Sequence, residues 1–267
     1  MSERYQRLEL LVGTQAVETL FHKRVAVFGA GGVGGACLEA LARSGIGTID
    51  VFDNDCVAPS NLNRQIIATS DNIGMPKTEA VQKRIHDINP EIVVHCHNIF
   101  YLPDTPEALA IDFGIYDYIV DAIDTVTGKI GLIVSAAAAD VPIISCMGCG
   151  NRMDPTKLIV CDIYETRTDP LAKVMRHELR KRGIKKLCVV CSTEPAMKPL
   201  SSPDATTSAT ISSPSVAPAD SDTAPISPRR QTPGSTAFVP PAAGLIAASV
   251  VVRELLSAES SESSFNV

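Results

Sequence analysis

The chain has 267 residues, 45% of them hydrophobic and 20% charged, with a net charge of −6 and eight cysteines. That length suits one large α/β domain or two small ones, and the acidic balance argues against bulk affinity for nucleic acid while leaving a local basic patch open. The opening Met1-Ser2-Glu3-Arg4 lacks the apolar core of an export signal, and the longest apolar run near the end, 242–252, falls short of the roughly 20 residues a bilayer crossing needs; the expectation is a cytoplasmic protein with reduced thiols.

Residues 3–22 predict one or two short helices, with Leu8, Leu11, Val17 and Leu20 at helical spacings. Arg24 to Phe28 is a short β-branched strand stopped by glycine, followed by a helix from Val33 to Arg43 that ends at Gly45. A second strand, Thr48 to Phe52, leads into a polar loop over 54–75, and Pro76 opens the next helix. Further strands are expected at 92–94, 118–120 and 142–145, with a helix over 125–138. This alternation predicts an α/β fold with a doubly wound, mostly parallel, Rossmann-like sheet flanked by helices. Beyond it, 157–163 and 187–191 read as strands. Asp169 caps and Pro170 starts a helix reaching Arg182. Residues 199–235 are dominated by Ser, Pro, Thr and Ala, which cannot bury enough apolar surface to offset ordering entropy, so a disordered insertion is expected there. An apolar helix over 242–256 and a frayed tail over 257–267 complete the chain. One α/β domain, 1–198 with 236–256, is the resulting organisation.

Gly29-Ala30-Gly31-Gly32-Val33-Gly34 sits directly after a strand and opens a helix, the context in which such a loop brings backbone N–H groups to phosphates at a helix N-terminus. Asp53, about 20 residues on, ends the second strand where a carboxylate accepts ribose hydroxyls. NAD and ATP sites share this fingerprint. The following loop separates them: Asn61, Arg64, Gln65 and Lys77 gather amides and cations suited to a triphosphate and a departing pyrophosphate, although a loop Arg and Lys are also ordinary surface charges. Asp124, after the fourth strand, is a candidate magnesium ligand or, alternatively, the N-cap of the next helix.

Arg4-Tyr5-Gln6-Arg7, the glycine loop, Asp53, Asn61-x-x-Arg64-Gln65, Gly74-x-x-Lys77 and Asp124 together resemble the ubiquitin-activating-enzyme-like adenylyltransferases, in order and in approximate spacing. The resemblance implies that Gly29, Gly31, Gly32, Gly34, Asp53, Asn61, Arg64, Gln65 and Lys77 bind ATP, and that Asp124 serves magnesium. It implies catalytic roles for Arg64, Lys77 and Asp124, and for Arg7 reaching across a homodimer into the partner's site. Asp121 to Asp124 with Lys129, Met153 to Thr156, Asp169 to Ala172, Ser192-Thr193-Glu194 and Gly234 to Pro241 look like the branch that dehydrates threonylcarbamoyladenosine in tRNA through an acyl-adenylate.

Residues 151–198 carry eleven Lys/Arg against six Asp/Glu. Arg176, Arg180, Lys181, Arg182, Lys185 and Lys186 cluster at one helix end, as an RNA contact or as ordinary complements of the helix dipole. The rival within the resemblance is adenylation of a small sulfur-carrier protein, whose enzymes often bind zinc through two Cys-x-x-Cys pairs. Cys146-x-x-Cys149 and Cys188-x-x-Cys191 have that spacing, but residues i and i+3 of a strand point to opposite faces. A scaffold that binds nucleotide without catalysis is the third reading.

Overall fold

Short β-branched runs bounded by glycine and aspartate build the sheet, and the amphipathic segments between them cover it. The structure, a computed structural model, describes residues 3–200 and 233–262. Helices α1 (Gln6–Val12) and α2 (Thr14–Phe21) precede β1 (Arg24–Phe28), α3 (Gly32–Arg43) and β2 (Thr48–Phe52). Then come α4 (Lys77–Ile88), β3 (Val93–His97), the one-turn α5 (Pro106–Leu109), β4 (Tyr118–Asp121), α6 (Val126–Ala138) and β5 (Ile143–Cys146). The last part holds β6 (Leu158–Asp162), α7 (Pro170–Lys181), β7 (Cys188–Ser192) and α8 (Val239–Glu262).

The strands form one sheet in the order β3-β2-β1-β4-β5-β7-β6. All neighbours are parallel except β6, which pairs antiparallel with β7. The doubly wound, mostly parallel expectation is therefore borne out. From β1 the chain winds outward to β2 and β3, then returns to place β4 on the other side of β1. This reversal opens a crevice at the carboxyl ends of β1 and β4, where open α/β sheets bind ligands.

Helix α8 lies in the core. Val239, Ala243, Ala247 and Val251 are fully buried, and a Cβ on Gly244 would fall 2.1 Å from the Val33 carbonyl oxygen of α3. Its stretch Val239–Ala258 is long and apolar enough to cross a bilayer by composition, yet half of it is buried inside the protein. The helix begins three residues before the expected 242, because Val239 N–H donates to Thr236 Oγ1 and Val239 itself is a core residue. It continues past the expected end at 256 to Glu262, with Ser257 Oγ donating back to the Glu254 carbonyl. Of the expected insertion and tail, residues 201–232 and 263–267 lie outside the described residues. Strand β3 extends to His97 rather than stopping at 94, because it pairs along the whole of β2. The α5 turn, capped by Thr105 Oγ1, is too short for periodicity to reveal.

Candidate nucleotide site

The glycine loop is shaped by backbone crowding. Gly29 has φ 94°, a left-handed conformation that side-chain-bearing residues avoid, and a Cβ there would meet the Ala122 carbonyl oxygen at 2.7 Å. A Cβ on Gly34 would lie 1.7 Å from the Gly29 oxygen, so Gly34 lets α3 start tight against the end of β1. Gly31 is the N-cap of α3. A Cβ on it would touch little, the nearest atom being Gln65 Nε2 at 3.9 Å. Gly29, Gly31 and Gly32 line the cavity that follows; Gly34 lies behind it as a packing residue.

That cavity, of about 570 Å³, opens at the carboxyl ends of β1, β2 and β4. Asp53, Asn61, Arg64, Gln65, Lys77 and Asp124 all line it. Asp53 organises the floor: Oδ2 accepts from Ala30 N–H at 2.7 Å and Oδ1 from Asp55 N–H at 2.9 Å. Lys77, 5% exposed at the start of α4, places Nζ 2.6 Å from Asp55 Oδ2 and 3.7 Å from Asp53 Oδ1. Phosphate oxygens at the helix N-terminus would offer this ammonium the same acceptor chemistry as the two carboxylates. Asn61 Oδ1 accepts from Ala58 N–H at 3.0 Å and so folds the 59–61 turn. Arg64 Nη1 donates to Ser60 O at 2.8 Å and Asn63 Oδ1 at 2.9 Å. Gln65 is 6% exposed and its buried Oε1 lacks a hydrogen-bond partner, an orphan acceptor in the cavity wall. Such an orphan is a cost that a bound hydroxyl or amino donor would relieve.

At the end of β4 two aspartates divide the work. Asp121 is fully buried: Oδ2 lies 2.9 Å from the equally buried Lys129 Nζ and accepts from Ser145 Oγ. Lys129 also donates to the carbonyls of Ile123 at 3.0 Å and Cys146 at 2.8 Å. All three ammonium donors therefore have acceptors, the condition under which a buried charge is tolerated. This knot ties β4, β5 and α6 under the 122–125 loop. Asp124 stands on that loop, exposed to the cavity. The N-cap of α6 is Thr125 rather than Asp124, which overturns the capping alternative and leaves the carboxylate facing the cavity.

The opposite rim was legible only in part, since Gly234 and Ser235 belong to the 234–241 stretch of the resemblance but also fall at the end of the span expected to be disordered. Gly150, Pro233, Gly234 and Ser235 border the cavity. Asn151, in the left-handed region at φ 59°, joins these segments: Asn151 N–H donates to Gly234 O at 2.8 Å and Gly234 N–H to Asn151 Oδ1 at 2.6 Å. Beneath them Arg152, 2% exposed, reaches Gly148 O at 3.0 Å, Asp169 Oδ2 at 3.3 Å and Glu194 O.

Other expected residues lie elsewhere. Arg7 is exposed on α1, whose leading Arg4 and Tyr5 bond to Asn89 and Ala42 beside the amino end of the sheet. Its own cavity is at the other end. Of the basic cluster, Arg176 Nη1 donates to Thr166 O at 2.8 Å, Arg180 stacks 4.9 Å over the Tyr164 ring, and Lys181 and Arg182 both reach Glu178 at 2.8 Å. Lys185 and Lys186 are exposed. The two Cys-x-x-Cys pairs do not assemble: Cys191 Sγ neighbours Cys161 Sγ at 3.7 Å, and no group of three His, Cys, Asp or Glu side chains gathers for a metal among the described residues. Burial pushes the Cys149 thiol up to about 11 and that of Cys191 up to about 12, far from the thiolate a nucleophile needs.

A glycine loop on a helix start, a carboxylate after the second strand and a cavity at the switch point that holds Arg64 and Lys77 define a nucleotide-binding α/β protein of the adenylating type. The chain belongs to the ThiF family, ubiquitin-activating-enzyme-like proteins whose sequence pattern matches residues 5–264. It is similar to tRNA threonylcarbamoyladenosine dehydratase of Bacillus subtilis, 42% identical over 263 residues, 96% of each chain. In structure it is similar to E. coli tRNA N6-threonylcarbamoyladenosine dehydratase, TcdA, in complex with ATP, with a TM-score of 0.78 and 29% identity over 97% of this chain and 96% of that one. It is also 36% identical to adenylyltransferase and sulfurtransferase UBA4 of Vanderwaltozyma polyspora, over 56% of this chain and 34% of that protein.

Proposed function

We propose that this protein is an ATP-dependent tRNA threonylcarbamoyladenosine dehydratase that cyclises the modified adenosine beside the anticodon. The observation that carries the reading is the single cavity in which Gly29, Gly31, Gly32, Asp53, Asn61, Arg64, Gln65, Lys77 and Asp124 converge, in a chain that aligns end to end with relatives bearing that name. The likeness to the sulfurtransferase UBA4 covers little more than half of the chain, which leaves carrier-protein adenylation the weaker reading.

The substrate's threonyl carboxylate attacks the α-phosphorus of ATP, forming a C–O–P bond and releasing pyrophosphate. An oxygen or nitrogen of the neighbouring carbamoyl group then attacks the activated carbonyl, AMP leaves, and a ring closes with net loss of one water. The second step is intramolecular, where effective molarities of about 10⁵ M or more are attainable. The protein's task is to hold groups and neutralise charge. Backbone N–H groups at the α3 start receive phosphate oxygens, Asp53 the ribose, and Arg64 and Lys77 the triphosphate.

Asp124 suits magnesium, which binds through one or two carboxylates plus phosphate oxygens and water. Its carboxylate is free of any cap, whereas that of Asp121 is fully engaged. A bound magnesium ion would neutralise phosphate charge there. Arg7 completes the site of a second copy in a homodimer. Its guanidinium has no hydrogen bond or ion pair among the described residues, and the neighbouring Leu10 and Leu11 are 83% and 82% exposed, an apolar face suited to burial by a partner. The cluster Arg176, Arg180, Lys181, Arg182, Lys185 and Lys186 contributes positive potential for tRNA. Eight free thiols suit a cytoplasmic location.

The test is a nucleoside assay by mass spectrometry. Protein, ATP, magnesium and tRNA bearing threonylcarbamoyladenosine are incubated and the tRNA is digested. The expected product is lighter by one water, absent without ATP and absent with Asp124→Ala. An unchanged nucleoside, from protein that exchanges pyrophosphate into ATP only when a small carrier protein is supplied, would replace this reading with carrier activation.

A further inference from the structure

The direction of α7 decides which cations stand near the reacting nucleotide. Strand β7 is parallel to β5, so Ser192 lies at the cavity end of the sheet and Cys188 at the other. Thr168 Oγ1 donates to the Ser192 carbonyl at 3.0 Å, and Asp169, the N-cap of α7, bonds Arg152 beneath the cavity rim. Helix α7 therefore starts at the cavity and runs away from it. Its last turn, with Arg180 and Lys181, is about 17 Å farther on at 1.5 Å per residue, and Lys185 and Lys186 lead into the far end of β7. The helix dipole accounts for cations at that far end without any ligand.

It does not account for those at the near end. Arg167 lies three positions before the first residue of α7, Lys173 is in its first turn, and Lys157 leads into β6, whose start pairs with Ser192. All three are exposed, and none has a side-chain hydrogen bond or ion pair among the described residues. Two of them oppose the positive end of the α7 dipole, so helix stability is not their reason. The acids at this end are engaged by other groups, although Asp154 also attracts Lys157. Asp169 is 1% exposed and faces Arg152; Glu194 accepts from the amides of Met153 and Asp154; Asp154 caps Thr156. Glu165, exposed, reaches back to the Asp162 amide. Arg176 grips Thr166 through its carbonyl and hydroxyl and so fixes the turn that presents Arg167.

We infer that Arg167, Lys173 and Lys157 form the phosphate-contacting surface for the tRNA strand next to the reacting nucleotide. This rests on the dehydratase reading. Exposed cations beside a cavity built for a nucleotide, two of them unpaired and set against the helix dipole, have the chemistry to neutralise an RNA backbone.

The experiment measures equilibrium binding of fluorescent tRNA bearing threonylcarbamoyladenosine to the full chain between 50 and 200 mM salt, with thermal unfolding as the folding control. Each lost phosphate contact makes the log–log salt slope shallower by about 1. Arg167→Ala/Lys173→Ala should therefore be shallower than wild type by about 2 and bind about tenfold or more weakly at the lower salt. A double variant with the wild-type slope and affinity overturns the inference, and does so without touching the dehydratase reading if that protein still removes water from the nucleoside. A wild-type protein that removes no water, with the slope change present, sinks the dehydratase reading and supports the RNA surface.

Discussion

The imidazole of His97 lies flat on the ring of Phe52, with centroids 4.2 Å apart and planes 7° from parallel. Phe52 stacks in turn on Phe28, at 4.1 Å and 3°. The three residues are in register as the last positions of β3, β2 and β1, directly before the loops that present Gly29 and Asp53. Asp53 N–H also donates to the His97 carbonyl at 3.2 Å. The ladder sets the height of the nucleotide floor. His97→Ala should raise the KM for ATP several-fold with little change in kcat, since it loosens binding geometry rather than chemistry. His97→Phe keeps the stack and should retain the wild-type KM. Steady-state kinetics on both variants decides.

His97 Nε2 also sits 2.9 Å from Asp50 Oδ1, and Arg24 reaches the same carboxylate at 2.8 and 3.0 Å. Burial pushes the Asp50 carboxyl up, but the bonds from His97 and Arg24 outweigh it and hold the group below the usual carboxylate range. A depressed folded value means stability that is fully present above the unfolded value of about 3.9 and is lost as pH falls through the folded one. Asp50→Asn should be less stable by about 3 kcal/mol at pH 7, as for a broken buried pair. The gap to wild type should narrow below about pH 4. Urea unfolding at a series of pH values measures it, and a gap that stays constant down to acid unfolding would remove Asp50 from this role.

Lys129 is a fully buried charge whose three acceptors come from β4, the 122–125 loop and β5. Lys129→Met leaves the Asp121 carboxylate buried without its cation. The expected loss is about 3–5 kcal/mol of stability. Ser145→Ala removes one hydrogen bond from the same carboxylate and should cost about 1–3 kcal/mol. Denaturant melts that rank the two the other way would mean that Lys129 is solvated in the folded protein.

Gly31 and Gly34 separate binding from folding. Alanine at 34 would place Cβ 1.7 Å from a backbone oxygen, and the protein should fail to fold or melt far below wild type. Alanine at 31 meets no atom closer than 3.9 Å at an ordinary φ of −78°, so the fold should survive. A phosphate needs that same space beside the α3 start. Gly31→Ala should therefore fold with a near-wild-type melting temperature yet lose measurable ATP binding by calorimetry.

The strand-to-helix glycine loop, the β-branched strand that ends before Asp53, and the Asp169-Pro170 start of α7 were all written in local patterns, and the structure repeats them nearly residue for residue. A glycine turn after an apolar run and a proline at a helix start depend on neighbours a few positions away, so the order of residues alone determined them. Tertiary structure decided what depends on partners far along the chain. It made Thr125 the cap and turned Asp124 to the cavity. It buried Lys129 against Asp121 and Lys77 against Asp55. It brought Gly150 and Pro233 to one rim although 83 positions separate them. It also sent the basic end of α7 away from the nucleotide and its start towards it, because residues 163–168 carry the chain from Leu187, at the far end of the sheet, back to Ser192 before α7 begins. Charge clustering along the chain carries no information about which end of a sheet it reaches; only the packed direction of the helix does.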